Sequence, residues 1–268
     1  MKRSVLVAIT QANTEPWVTI WKEGQEKTWI HDNFFGSSVI HFQSKDAPYL
    51  IEKFDQFHER NRYRKVIGMW QGRFDKILTL FISKKIPKYL FDDINRILTV
   101  NSWSTYYLQG RRNIALYDWF LKYTNKDFLF VTNTSSYINQ DQLLKIVQKF
   151  DPHDDVYAGY LLPEGGEEQF VSGAGKLLSR KSVEVIKNNW HKHTHETLED
   201  VCLGLFMRAM GITATPLSRI SLPTPESAKA LPESTLQTEF HFRCKSDQIP
   251  RRDVEIMRIL HARLKSSE

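Results

Sequence analysis

Cysteine is scarce in this sequence of 268 residues: Cys202 and Cys244 are the only two, and they form no CxxC pair. Neither a disulfide framework nor a thiolate zinc site is indicated, and a reducing, cytoplasmic setting is the simplest expectation. Long apolar runs are missing too. No stretch of about eighteen residues is apolar enough to read as a membrane span. The start Met1-Lys2-Arg3-Ser4 leads into only about six apolar-rich residues, too few for a signal-peptide core. The sequence also lacks internal repeats and low-complexity tracts.

What remains is an ordinary globular balance, 41% hydrophobic and 25% charged, in a length near the upper limit for one hydrophobic core. The expectation is one domain over residues 1–245, with a basic amphipathic helix over residues 246–268 packed on or next to it. The net charge of +6 suits an anionic partner, either a nucleotide diphosphate, an anionic membrane surface or nucleic acid. Nucleic acid is not expected, because no recognised binding module, zinc spacing or aromatic RNA-binding motif is present.

The run VLVAIT at residues 5–10 is β-branched and uncharged, the pattern of a strand buried on both faces of a parallel sheet. Further strands are predicted at residues 39–43, 65–70, 77–82, 97–101, 128–132 and 156–162. Helices are predicted at residues 49–64, 91–96, 112–123 and 140–150. In the last of these Leu143, Leu144, Ile146, Val147 and Phe150 make one apolar stripe, and Asn139 with Gln142 resembles a capping box. Strands alternating with helices imply an α/β fold whose mostly parallel sheet binds ligands at the carboxyl ends of its strands. Four prolines among serines and threonines make residues 216–232 read as a long surface loop. A last helix begins near Pro250, with Val254, Met257, Leu260 and Leu264 as its stripe and several arginines beside it. That helix either packs on the domain or lies on anionic lipid.

Several short segments share an order with one enzyme group. Residues 128–139 read FLFVTNTSSYIN; Thr28-Trp29-Ile30 precedes a strand; residues 103–113 read WSTYYLQGRRN; residues 170–179 read FVSGAGKLLS; residues 199–204 read EDVCLG; and Phe240-His241 stands near the end. Together these resemble the fringe and β-1,3-galactosyltransferase families over roughly residues 5 to 245. The resemblance implies a GT-A-type nucleotide-sugar-binding fold and an inverting transfer from a UDP-sugar to a saccharide or glycolipid hydroxyl. A role in surface glycan synthesis on the cytoplasmic side, with peripheral contact at the inner membrane, fits that reading.

The resemblance also assigns residues. Asp200 would be the base that removes the acceptor proton, one carboxylate sufficing for inversion. Thr197 to Asp200 also reads as a capping box, and the cap and base roles need not exclude each other. Glu199 would be an acceptor-binding or supporting group. Gly173, Ala174 and Gly175 would let backbone approach the donor sugar, or form an ordinary tight turn. Backbone around Ala8, Ile9 and Thr10, with Ser44 or Asp46, would meet the uracil and ribose, although Asp46 also suits a helix cap.

The sequence departs from the family where three aspartates belong, because Asn133, Thr134 and Ser135 stand there. Manganese and magnesium prefer carboxylates and other hard oxygen ligands, so a tight site for either is not expected, and His241 alone matches a metal ligand of the family. Arg111 and Arg112 would then stabilise the departing diphosphate. An inactive relative that keeps the fold as a sugar-binding or scaffolding protein is the alternative.

Overall fold

The computed structural model describes residues 2–30, 37–46, 85–103, 108–163, 169–193 and 198–266. Along the chain come β1 (Val5–Thr10), α1 (Trp17–Thr19) running into a π-helical turn (Ile20–Gln25), β2 (Ser37–Lys45), β3 (Tyr89–Asp92), β4 (Ile97–Trp103) and α2 (Gln109–Tyr123). Next are β5 (Phe128–Asn133), β6 (Ser136–Ile138), α3 (Gln140–Val147), β7 (Tyr157–Leu162), β8 (Phe170–Ser179), α4 (Arg180–Asn189) and α5 (Glu199–Ala209). The chain closes with β9 (Ala214–Pro216), β10 (Ile220–Ser221), α6 (Pro225–Lys229), α7 (Glu233–Thr238), β11 (His241–Arg243) and α8 (Asp253–Ser266).

The main sheet has eight described strands in the order β3-β4-β2-β1-β5-β8-β7-β9. Its centre, β4-β2-β1-β5, is parallel, while β8 runs antiparallel to β5 and β7. This is the mixed, mostly parallel α/β sheet that the alternation of elements predicts. A second sheet of three strands, β10-β11-β6, sits over one face. β1 is apolar from Val5 to Ile9 because both faces are covered: Val5, Val7 and Ile9 join a core with α3 and α8, and Leu6 and Ala8 join one with α2, α4 and α5.

Local chemistry sets the helix starts. Asn139 Oδ1 accepts from Gln142 N at 3.3 Å to open α3, and Ser179 Oγ accepts from Ser182 N at 3.1 Å to open α4. Residues 91–96 are not the predicted helix. Phe91 belongs to β3 and stacks on Trp119 with ring centroids 4.7 Å apart, while Tyr89, two residues earlier, donates its hydroxyl to Asp118 at 2.7 Å. That period of two is a strand's. Nor are residues 216–232 all loop, because Leu222 and Ala228 are buried and a Thr224–Ser227 capping box starts α6. The helix predicted at 49–64 and the strands at 65–70 and 77–82 lie outside the described residues.

The last helix packs inward. Ile256, Met257 and Leu260 of α8 are buried in the cluster that contains Ile20 and Trp29. Its arginines meet carboxylates, Arg258 with Glu23 at 3.0 Å and Arg263 with Glu233 at 3.3 Å. Among the described residues no helix is long and apolar enough to cross a membrane.

Candidate active site at the sheet switch point

From β1 the chain builds outward through β2 to β4, then returns to the other side of β1 for β5. The carboxyl ends of β1 and β5 therefore flank the switch point where ligands of such sheets bind. Thr10 stands there between Phe42 of β2 and Asn133 of β5. Ala8 and Ile9 lie deeper, fully buried and laddered on both sides, so Thr10 is the partly exposed member of that trio. Asp46 is exposed just past β2.

The turn from Asn133 to Ser136 is closed by its own hydrogen bonds and by distant residues. Asn133 Oδ1 accepts from Ser135 N at 3.1 Å. Gln25 Nε2 donates to the carbonyls of Asn133 (3.1 Å) and Ser136 (2.9 Å). Cys244 N donates to the Ser135 carbonyl at 2.8 Å, and Arg251 Nη2 donates to Ser135 Oγ at 3.0 Å. Thr134 is buried. His241, on β11, holds Nε2 3.0 Å from Ser136 Oγ. Burial, with Arg219 and Arg243 adding to it, pushes the His241 pKa well below its usual value, so the ring is neutral.

These residues do not fit a divalent cation. Asn133, Thr134 and Ser135 offer neutral oxygens already engaged or buried, and a guanidinium stands at hydrogen-bond distance from Ser135. No group of three His, Cys, Asp or Glu side chains suited to a metal occurs among the described residues. His241 faces Ser136 and the rings of Phe130 and Phe240, which makes it a packing and hydrogen-bonding residue.

β8 brings the remaining candidates beside this turn. Its Gly175 pairs with Thr132 of β5, and the carbonyl of Ala174 accepts from Thr132 Oγ1 at 2.7 Å and Ser136 Oγ at 3.2 Å. A methyl group on Gly175 would lie 2.5 Å from His241 Cε1, so the close approach requires glycine. Gly173 N donates to Asp200 Oδ2 at 3.0 Å. Asp200 is half-buried in the first turn of α5, where Val201 N donates to its Oδ1 at 3.0 Å. Burial, then the neighbouring Glu199 charge, raise its pKa above the ordinary 3.8. Leu198 is the N-cap residue and gives no side-chain cap, while Thr197 lies outside the described residues.

Behind Asp200 lies a buried charge cluster. Lys176 of β8, 1% exposed, pairs with Glu199, with Nζ 2.6 Å from Oε1. Asn113 Nδ2 donates to the same oxygen at 2.6 Å. Burial alone would raise the Glu199 pKa, but Lys176 and Asn113 outweigh it and hold the carboxyl below its usual value. Arg112, next to Asn113, is buried over the Phe42 ring at 5.3 Å. Arg111 is only partly buried. No hydrogen bond or ion pair joins Asp46 or Arg111 to the other candidates among the described residues.

Sequence reasoning missed Lys176 and Arg219. A lysine inside the apolar run FVSGAGKLLS was the available signal, since such a charge needs a buried partner. Arg219 stacks on Tyr160 at 4.1 Å and donates to Ser172 Oγ at 2.9 Å, one residue from Gly173. It lay hidden in the segment read as loop.

No protein-family model and no curated protein matches the chain. Among solved structures it is similar to the apo form of the glycosyltransferase GlyE of Streptococcus pneumoniae TIGR4, with 11% identity and a TM-score of 0.47, covering 100% of this chain and 64% of that one. It is also similar to a glycosyltransferase involved in the glycosylation of the major capsid of PBCV-1 (10% identity, TM-score 0.45, covering 97% and 99%). A third is the galactosyltransferase LgtC in complex with donor and acceptor sugar analogues (9% identity, TM-score 0.44, covering 97% and 95%). The chain thus spans 64% of the length of GlyE.

Proposed function

We propose that the protein is an inverting glycosyltransferase of GT-A type that moves a sugar from a UDP-sugar to a saccharide or glycolipid hydroxyl. The observation that carries this reading is Asp200: a half-buried carboxylate of raised pKa, fixed by the Gly173 N–H, at the strand ends beside the switch point. A carboxylate so placed accepts the proton of the acceptor hydroxyl as its oxygen bonds to the anomeric carbon. The bond from that carbon to the diphosphate oxygen breaks, and UDP leaves as the anion.

The nucleotide half has its own support. Gln11 Oε1 and Ser44 Oγ, at the carboxyl ends of β1 and β2, are buried without a hydrogen-bond partner. Buried polar atoms are rarely left so, and a ligand's ribose and base would supply the missing partners. Thr10 and Asp46 border them. Surface glycan synthesis is the pathway class that such a donor and acceptor serve.

A panel of UDP-sugars, assayed for UDP release with and without saccharide acceptors, tests the reading. Release that depends on acceptor and vanishes in Asp200→Asn is the expected result. UDP binding without turnover on any donor would replace the transferase with the scaffolding alternative.

A further inference from the structure

The cluster behind Asp200 contains a cation with no counter-charge of its own. Lys176 and Glu199 cancel as a buried pair, and Asn113 completes it. Arg112 is 6% exposed. Its Nε is buried without a hydrogen-bond partner. The Phe42 ring 5.3 Å away offers a π face, which does not replace a lone-pair acceptor for that N–H. Burial pushes the Arg112 pKa down to about 10, with Glu199 opposing, so the group stays charged at neutral pH.

A charged group whose Nε–H is kept dry and unsatisfied is costly to a fold, and an acceptor arriving with a ligand removes that cost. Its surroundings specify the acceptor. Arg112 lies in the first turn of the fifteen-residue α2, whose N-cap Leu108 gives no side-chain cap. The positive end of the helix dipole and the guanidinium fork favour the same oxyanion. Phe42, beneath the guanidinium, pairs with Thr10 at the switch point.

We propose that Arg112 and the first turn of α2 form a metal-free binding site for a phosphoryl anion. Its assignment to the diphosphate of a nucleotide-sugar rests on the transferase reading; the anion site itself does not. The guanidinium supplies, from within the chain, the positive charge that the turn at Asn133–Ser135 is not built to recruit from solution.

Inorganic pyrophosphate and UDP, titrated calorimetrically into the full chain in excess EDTA, test the site. Both are expected to bind and to raise the melting temperature. Arg112→Met is expected to weaken pyrophosphate binding at least tenfold while melting no lower than the wild type without ligand, because an unpaired buried charge is gone. Arg112→Lys, which keeps the charge but not the fork, falls between the two, and Arg252→Gln, at an exposed pair with Glu255, binds as the wild type does. Undiminished binding by Arg112→Met, an earlier melt of that variant, binding only with manganese, or no pyrophosphate binding by the wild type each overturns the site. In the last case acceptor-dependent UDP release would leave the transferase reading standing. Arg112-dependent pyrophosphate binding without any sugar transfer would keep the site and retire the transferase.

Discussion

Gly173 donates its N–H to Asp200 Oδ2 at 3.0 Å, and a methyl group built on Gly173 would lie 3.3 Å from the same oxygen. Strand β8 thus holds the carboxylate through its backbone. The second oxygen is held by its own helix, and what stays adjustable is the proton.

Asp200→Asn is expected to abolish transfer and leave UDP affinity within about twofold, since no step of nucleotide binding uses that carboxylate. Single-turnover transfer and calorimetric UDP titration read the two effects apart. A base contributes about a hundredfold to ten-thousandfold in such reactions, so an Asn variant within tenfold of wild type would remove Asp200 from the chemistry.

The two glycines of β8 should separate stability from activity. Gly175→Ala puts a methyl group 2.5 Å from His241 Cε1 and 3.0 Å from Phe130 Cζ, inside a packed core, and is expected to cost about 1–3 kcal/mol in urea unfolding. Gly173→Ala needs a shift of only a few tenths of an ångström, and the group that must give is Asp200. It should fold nearly normally and lose transfer rate.

Lys176→Met leaves Glu199 charged in a dry site and is expected to destabilise the protein by about 3–5 kcal/mol. Adding Glu199→Leu should recover most of that loss, because pairs of this kind are replaceable by apolar side chains of similar volume. Chemical denaturation of the two single variants and the double variant checks the coupling.

Acid should unfold the protein in two windows. His241 has a lowered folded-state pKa, so its contribution begins to be lost as pH falls below its unfolded value of 6.5. Glu199 is also lowered, so the stability it lends is complete above its unfolded value of 4.5 and is lost as pH falls through its folded pKa. Stability measured against pH should lose the upper window in His241→Asn and the lower in Glu199→Gln.

Much of this architecture is legible in the sequence because burial on both faces leaves a plain trace. VLVAIT could only be a central strand, and Asn139 announces α3 three residues before the bond it makes. Residues 91–96 misled because Phe91, Ile94 and the polar residues between them mimic helical spacing, while the evidence for a strand lay two residues earlier in Tyr89. The glycines, Asp200 and His241 stood out through their order along the chain. Lys176 and Arg112 could not be understood that way, because what makes them notable is the presence or absence of a partner far away in sequence. Glu199, read as an acceptor-binding or supporting group, is the counter-ion of a buried lysine.

The Asn133–Ser136 turn owes its shape to residues that arrive late. His241 and Arg251 reach Ser136 and Ser135 across 105 and 116 residues of chain. The parallel strands β1, β2, β4 and β5 are all complete in the chain by Asn133, well before His241 and Arg251 are synthesised. A ribosome would therefore have released the whole parallel sheet before the turn could settle. A chain stalled at α7 would own its strands and its Gly175 but have no imidazole to set against them. In this protein the crevice is framed early and finished last.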